Sequence, residues 1–258
     1  MLVRTSGHTL LYDMGPAVRD GFDAGERAVV PALRALGVRA LDAAIVSHAD
    51  NDHAGGWPAV QRQFPTDEVW APQGSPTLAS RRCVAGRAWT WDGMRFRFLH
   101  PTPHFPYLKN ESSCVLRIEG RHGNALLTGD IGEVVERELV RRDPAALRSE
   151  VVVVAHHGSN GSSDPDFVAT TGARYALVSA GANNRFGHPK PRIVERWCAA
   201  GAEFLSTAGH GAIRVRFGAG GISIDRRRDS HPRLWDAARR AIDGDRRSCK
   251  QVADRAAP

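Results

Sequence analysis

At 258 residues, 42% hydrophobic and 24% charged, the chain has the make-up of a globular protein, sized for one large α/β domain or two small ones. It has no apolar run of transmembrane length and no signal-peptide layout, and Cys83, Cys114, Cys198 and Cys249 are scattered without a CxxC pair, so no disulfide framework is expected. The formal net charge of +7 rests almost wholly on Arg, with Lys only at 109, 190 and 250, and an anionic partner or GC-rich codon usage accounts for it equally well.

Residues 1–4 and 9–12 read as short strands around Ser6-Gly7-His8, followed by a loop that opens with Asp13. Beginning inside a strand suggests that an upstream stretch is missing. A helix is predicted over 26–36, where apolar residues recur at helical spacing and Gly37 closes the run. A buried strand over 42–46 then leads into Ser47-His48-Ala49-Asp50-Asn51-Asp52-His53-Ala54-Gly55-Gly56. Four metal-binding side chains, His48, Asp50, Asp52 and His53, fall within six residues of this loop. At the mouth of a strand they can converge on one point, with the strand as a rigid base. Imidazole and carboxylate together suit zinc, manganese or iron better than calcium, which takes an all-oxygen shell.

Next come a helix over 57–64, a strand over 68–71 and a loop with a short helix over 73–86. Strands over 88–91 and 94–99 flank Asp92-Gly93, a hairpin signal, and an irregular Pro- and His-rich loop follows at 100–107. Strands over 113–118 and 124–127 run into Thr128-Gly129-Asp130, and a helix covers 133–140. A buried strand over 151–155 ends in His156-His157-Gly158-Ser159-Asn160-Gly161-Ser162-Ser163. After a helix over 166–171 and a strand over 175–179 comes a third His-bearing loop, with Asn184 and His188. A helix over 193–200 and strands over 202–206, 212–217 and 221–224 complete the body. Beyond it, residues 225–258 hold ten Arg or Lys against six Asp, a basic tail with a candidate helix over 234–242. The recurring logic is an apolar strand followed by a loop that carries His or Asp.

The ordered series His48/Asp50/Asp52/His53, Asp130, His157 and His188 resembles the metallo-β-lactamase superfamily, whose HxHxDH signature reads HxDxDH here. Further stretches sharpen the likeness: LLYDMGP at 10–16, NESSCVLRI at 110–118, LLTGDI at 126–131, HHGS at 156–159 and SAGANNRFGHP at 179–189. Together they look like the C-terminal hydrolase domain of ComEC-type competence proteins, membrane channels that carry single-stranded DNA into bacteria. The family's HHGSxTSS reads HHGSNGSS here, and Asn110 with Ser112 and Ser113 stands where classical members place a further ligand His. The resemblance implies an α/β fold, an αββα sandwich of two mixed β-sheets with helices on the outer faces. That domain would span 1–225, its first strand truncated, with 226–258 as the tail.

It also implies two divalent transition metals, Zn2+ or Mn2+, one of them weakly held, and metal-assisted hydrolysis. His48 and Asp50 would hold one metal, Asp52 and His53 the other, with Asp130 bridging; Asp52 would also orient the attacking water. His157 and His188 are the remaining ligands or proton donors, so the catalytic set is Asp52, Asp130, His157 and His188. The choice between His156 and His157 stays open, the other falling behind the ligands, and Asp13 would fix the tautomer of a ligand His. Ser159, Ser162, Ser163, Asn184, Ser112 and Asn110 are candidate phosphate contacts, each with loop capping as the plainer role.

The expected activity is a DNA nuclease or phosphodiesterase linked to DNA uptake, with single-stranded DNA as partner. The resembled family tethers such a domain to an inner-membrane channel on the periplasmic side; a stand-alone protein would be cytoplasmic. A small-ester or thioester hydrolase and a non-catalytic domain with a degenerate site are the alternatives, since fold alone fixes no substrate.

Overall fold

The computed structural model describes residues 1–233 and Cys249, and the chain divides into two compact units, Met1–Ile118 and Glu119–Pro258. In the first unit, β1 (Leu2–Arg4), β2 (Thr9–Tyr12), β3 (Leu41–Ile45), β4 (Thr66–Ala71) and β5 (Arg81–Arg82) form one sheet in that order. β1 is antiparallel to β2, and the remaining pairs are parallel, with Leu11 opposite Ala44 and Ala44 opposite Val69. Parallel strands are buried on both faces, which explains the continuous apolar runs of β2 and β3. Helices α1 (Val30–Ala35) and α3 (Trp57–Gln63) supply Leu33, Trp57 and Val60 to a core with Leu11, Met14, Ala44 and Val46.

Hairpin β6 (Ala88–Trp91) and β7 (Met94–His100) turns at Asp92 and Gly93, both at positive φ, as the sequence predicts. β8 (Val115–Gly120) then runs across the boundary between the units.

In the second unit, β9 (Gly123–Leu127), β10 (Val151–Val153), β11 (Tyr175–Val178) and β12 (Glu203–Ser206) are parallel neighbours in that order. Helices α4 (Glu133–Arg142), α5 (Pro165–Thr171) and α6 (Pro191–Ala199) lie between successive strands in sequence, the pattern parallel pairing requires. The hairpin of β13 (Ile213–Gly218) and β14 (Gly221–Arg226) lays Val215, Phe217 and Ile224 against Val151, Tyr175 and Leu205.

Four expectations need correction. The helix expected within 73–86 is absent; β5 forms there instead, because Arg81 and Arg82 pair with Trp70 and Ala71. The loop after β3 contains a helical turn, α2 (Asn51–Ala54), and α7 (Thr207–His210) intervenes before β13. All four cysteines are paired, Cys83 with Cys114 and Cys198 with Cys249. Folding brings together thiols 31 and 51 residues apart, which spacing alone does not reveal. The candidate helix over 234–242 lies outside the described residues, while α8 (Arg227–Ser230) continues from β14, with Arg228 donating to the Ala208 carbonyl.

Candidate metal centre

In the first unit the donors stand at the C-terminal ends of β2 and β3. The Asp13 amide donates to the Ile45 carbonyl, and the Met14 amide to the His53 carbonyl at 2.9 Å, so the two strand ends are laced together. Gly55 and Gly56 permit this closeness: a Cβ on Gly56 would lie 2.4 Å from the Met14 oxygen, and one on Gly55 2.4 Å from the Ala17 nitrogen. Asp50 sits at the N-cap of α2, yet its carboxylate accepts no capping hydrogen bond. Such a carboxylate remains available for another role.

Two imidazoles are fixed by their Nδ1 atoms. His53 Nδ1 lies 2.7 Å from Asp13 Oδ2. A carboxylate there accepts the Nδ1 proton and leaves the Nε2 lone pair for a cation. His48 Nδ1 lies 3.1 Å from Ser47 Oγ, whose hydroxyl donates to Asp13 Oδ2 at 2.8 Å, and 3.3 Å from Ser113 Oγ. One carboxylate thus orients both rings. Burial alone would raise the Asp13 carboxyl, but His53, the Ser47 amide and His48 outweigh it and hold Asp13 below the usual carboxylate range.

On the other edge, His53 Nε2 faces Asp52 Oδ2 at 3.9 Å and His48 Nε2 faces Asp50 Oδ2 at 4.0 Å. Those gaps are within the span of two metal–ligand bonds of about 2.0–2.2 Å each. The Ala49 amide donates to the Tyr107 hydroxyl at 2.9 Å, so the 100–107 loop braces the metal loop.

In the second unit, buried Asp130 follows β9. His157 Nε2 lies 3.6 Å from its Oδ2 and His156 Nε2 3.9 Å. His157 Nδ1 donates to the Ser179 carbonyl at 2.8 Å, which again leaves Nε2 for a cation. Both His156 and His157 adopt positive φ, 49° and 52°. Left-handed backbone at two successive non-glycine residues costs of order 1–3 kcal/mol each and persists where surrounding structure enforces it. Here the His156 amide donates to the Gly129 carbonyl, and Gly158 packs so closely on Pro189 that a Cβ would lie 2.7 Å from it. Burial, then Lys190, His156 and His157, lowers the His188 pKa.

Several predicted phosphate contacts are engaged elsewhere. The Asn184 side-chain amide donates to the Gly181 and His188 carbonyls while its oxygen accepts from the His188 amide, so it braces the His188 loop. Ser112 is buried and ties Leu108 to Pro106. The Ser162 hydroxyl donates to the Ala155 carbonyl, and Ser163 Oγ accepts from the Trp197 indole. Ser159 Oγ is buried without a hydrogen bond, and Asn110 lies half-buried on the turn Lys109–Ser112.

Three residues have roles that sequence reasoning misses. Ser47 and Tyr107 have no signature beyond position. Glu136 does, as an acid among Val135 and Leu139 on the buried side of α4; its carboxylate accepts from the Ser163 and Asp164 amides. A cavity of about 540 Å³ lies elsewhere in the first unit, lined by Trp70, Trp89, Trp91, His8 and Arg87 near the starts of β3 and β4.

Histidines and carboxylates at successive strand ends, on parallel α/β units, define a metallo-hydrolase class. The chain belongs to the metallo-β-lactamase superfamily, whose sequence profile matches residues 1–182. That family's fold is an α/β sandwich and implies divalent-metal binding and hydrolase chemistry.

Within it, the chain is similar to Competence protein ComA of Neisseria gonorrhoeae, 37% identical over 228 residues, covering 88% of this chain and 32% of that one. It is 32% identical over 218 residues to Recombination protein 2 of Haemophilus influenzae, covering 84% and 27%. To ComE operon protein 3 of Bacillus subtilis it is 30% identical over 234 residues, covering 84% and 30%. The chain therefore spans at most 32% of the length of these three relatives. Among the described residues, no helix is long and apolar enough to cross a membrane.

Proposed function

We propose that Asp52, His53, Asp130 and His157 together hold one divalent cation, zinc or manganese, that His48 and Asp50 serve a second position, and that His188 is a further ligand or proton donor. The domain then hydrolyses phosphodiester bonds in DNA, single strands preferred, as the hydrolytic part of a DNA-uptake protein. The observation that carries the metal reading is the repeated arrangement of His48, His53 and His157, each with Nδ1 engaged by an oxygen and Nε2 within 4.0 Å of a carboxylate oxygen. DNA as substrate rests on the competence and recombination proteins among the relatives and on the net charge of +7.

When bound, such cations act as Lewis acids that lower the pKa of water and offset charge on a phosphoryl oxygen. The protein's own part is orientation. Asp13 sets the His53 tautomer directly and the His48 tautomer through Ser47. The Ser179 carbonyl does the same for His157. Asp52, half-exposed and 3.9 Å from His53 Nε2, would orient a water for attack. Burial, then Lys190, holds the His188 pKa down, which favours its neutral form.

The test is cleavage of end-labelled single- and double-stranded oligonucleotides with manganese or zinc. Asp52→Asn keeps the shape and removes the charge, and a loss of at least about a hundredfold is expected. A wild-type chain that holds metal yet cleaves neither substrate would eliminate the nuclease and advance a small ester or thioester as substrate.

A further inference from the structure

Each disulfide closes within one unit, Cys83–Cys114 in the first and Cys198–Cys249 in the second, and no described cysteine is free. Cys83 and Cys114 are fully buried, whereas Cys198 and Cys249 are half-buried. Hydrogen bonds tie the first cross-link to the metal loop through Cys114 and to the end of β4 through Cys83. The Cys83 amide donates to the Ala71 carbonyl at the end of β4. The Cys114 amide donates to the Ser47 carbonyl at 3.0 Å, and the Cys114 carbonyl accepts from the Tyr12 hydroxyl at 2.7 Å. Ser113, one residue before, places its Oγ 3.3 Å from His48 Nδ1. Ser47 and Ser113, the two hydroxyls beside the His48 ring, are therefore both held through Cys114.

We propose that these four cysteines are sites of oxidative modification, that the domain acquires both disulfides in an oxidising compartment, and that Cys83–Cys114 fixes the metal loop's geometry. Two thiols lose two protons and two electrons per bond. One cysteine thiolate attacks the disulfide of a thiol–disulfide oxidant and releases one oxidant thiolate. Its partner thiolate displaces the oxidant sulfur, which forms the protein disulfide and leaves the oxidant as a dithiol. The fully buried pair is out of reach of such a reagent once the unit has folded, so its oxidation accompanies folding. Thereafter it resists reduction, and the half-buried Cys198–Cys249 bond is reduced first.

The cross-link itself is tested without any metal, on the full chain isolated from an oxidising compartment. Free thiols are alkylated and peptides are mapped under non-reducing conditions. A linked peptide pair holding residues 83 and 114 is expected, and alkylated thiols at both positions would overturn the proposal. Coupling to the site rests on the metal reading above, and zinc retention against a chelator tests it. Cys83→Ala with Cys114→Ala should weaken retention about tenfold or more, the range seen when partners that orient metal ligands are removed. Cys198→Ala with Cys249→Ala should leave it within about twofold, the outcome for a residue pair outside that support. Equal retention in all three proteins would overturn the coupling. A wild-type chain with the mapped cross-link but no zinc would overturn the metal reading and the coupling, and leave the oxidation standing.

Discussion

Asp13 shows what a single residue can carry. Its two oxygens take the Ser47 amide at 2.7 Å, the Ser47 hydroxyl and His53 Nδ1, at a backbone φ of 54°. Asp13→Asn keeps the size but turns one acceptor into an NH2 group, so it cannot satisfy all three donors. Metal affinity should fall by about 10–100-fold in a chelator competition, with a lower melting temperature from the donor left unsatisfied. Unchanged affinity would show that Asp13 has no part in orienting His53. Glu136 offers a pH test. Burial pushes its carboxyl up to about 8, against the lowering influence of the Asp164 and Ser163 amides. Its folded pKa lies above the unfolded value of 4.5, so the folded state holds an extra proton between the two. The associated stability is full below pH 4.5 and is lost as pH rises through about 8. Wild type should therefore lose melting temperature relative to Glu136→Gln between pH 5 and about pH 8.5; a wild type that gained on the variant over that range would contradict this.

Among the elements, the strands with ligand loops are the most legible in the sequence, because few arrangements besides a strand feeding a site end an apolar run in His or Asp. The Asp92-Gly93 hairpin is equally plain. What escapes is set by tertiary contact. α2 forms within the metal loop only because Gly55 and Gly56 let the chain press against Met14 and Ala17. β5 exists only as a partner for β4. Asn184 and Ser112 look like phosphate contacts in sequence, yet their hydrogen bonds brace loops, which no local pattern announces. Gly56→Ala tests the close approach directly. A methyl there would lie 2.4 Å from the Met14 oxygen and 2.6 Å from the Gly25 nitrogen, both backbone atoms that cannot give way cheaply. A loss of at least about 2 kcal/mol is expected in denaturant unfolding, and a neutral outcome would mean that α2 can shift without cost.

For the whole molecule, the cysteine pairing is the largest departure from what the sequence suggests, since all four thiols are paired. By loop-closure entropy, bonds that close 31 and 51 residues contribute about 4 kcal/mol each. Reduction in denaturant followed by alkylation should then lower stability by several kcal/mol on refolding. The central proposal is that Asp52, His53, Asp130 and His157 hold metal. Elemental analysis of chelator-stripped and reloaded protein tests it most directly, with Asp52→Ala in the first unit and Asp130→Ala in the second. The wild type should hold up to two transition-metal ions per chain, as dinuclear hydrolase sites do. Each substitution alone should remove at least one ion while the fold survives. Full metal content in either variant, or none in the wild type, would contradict the account.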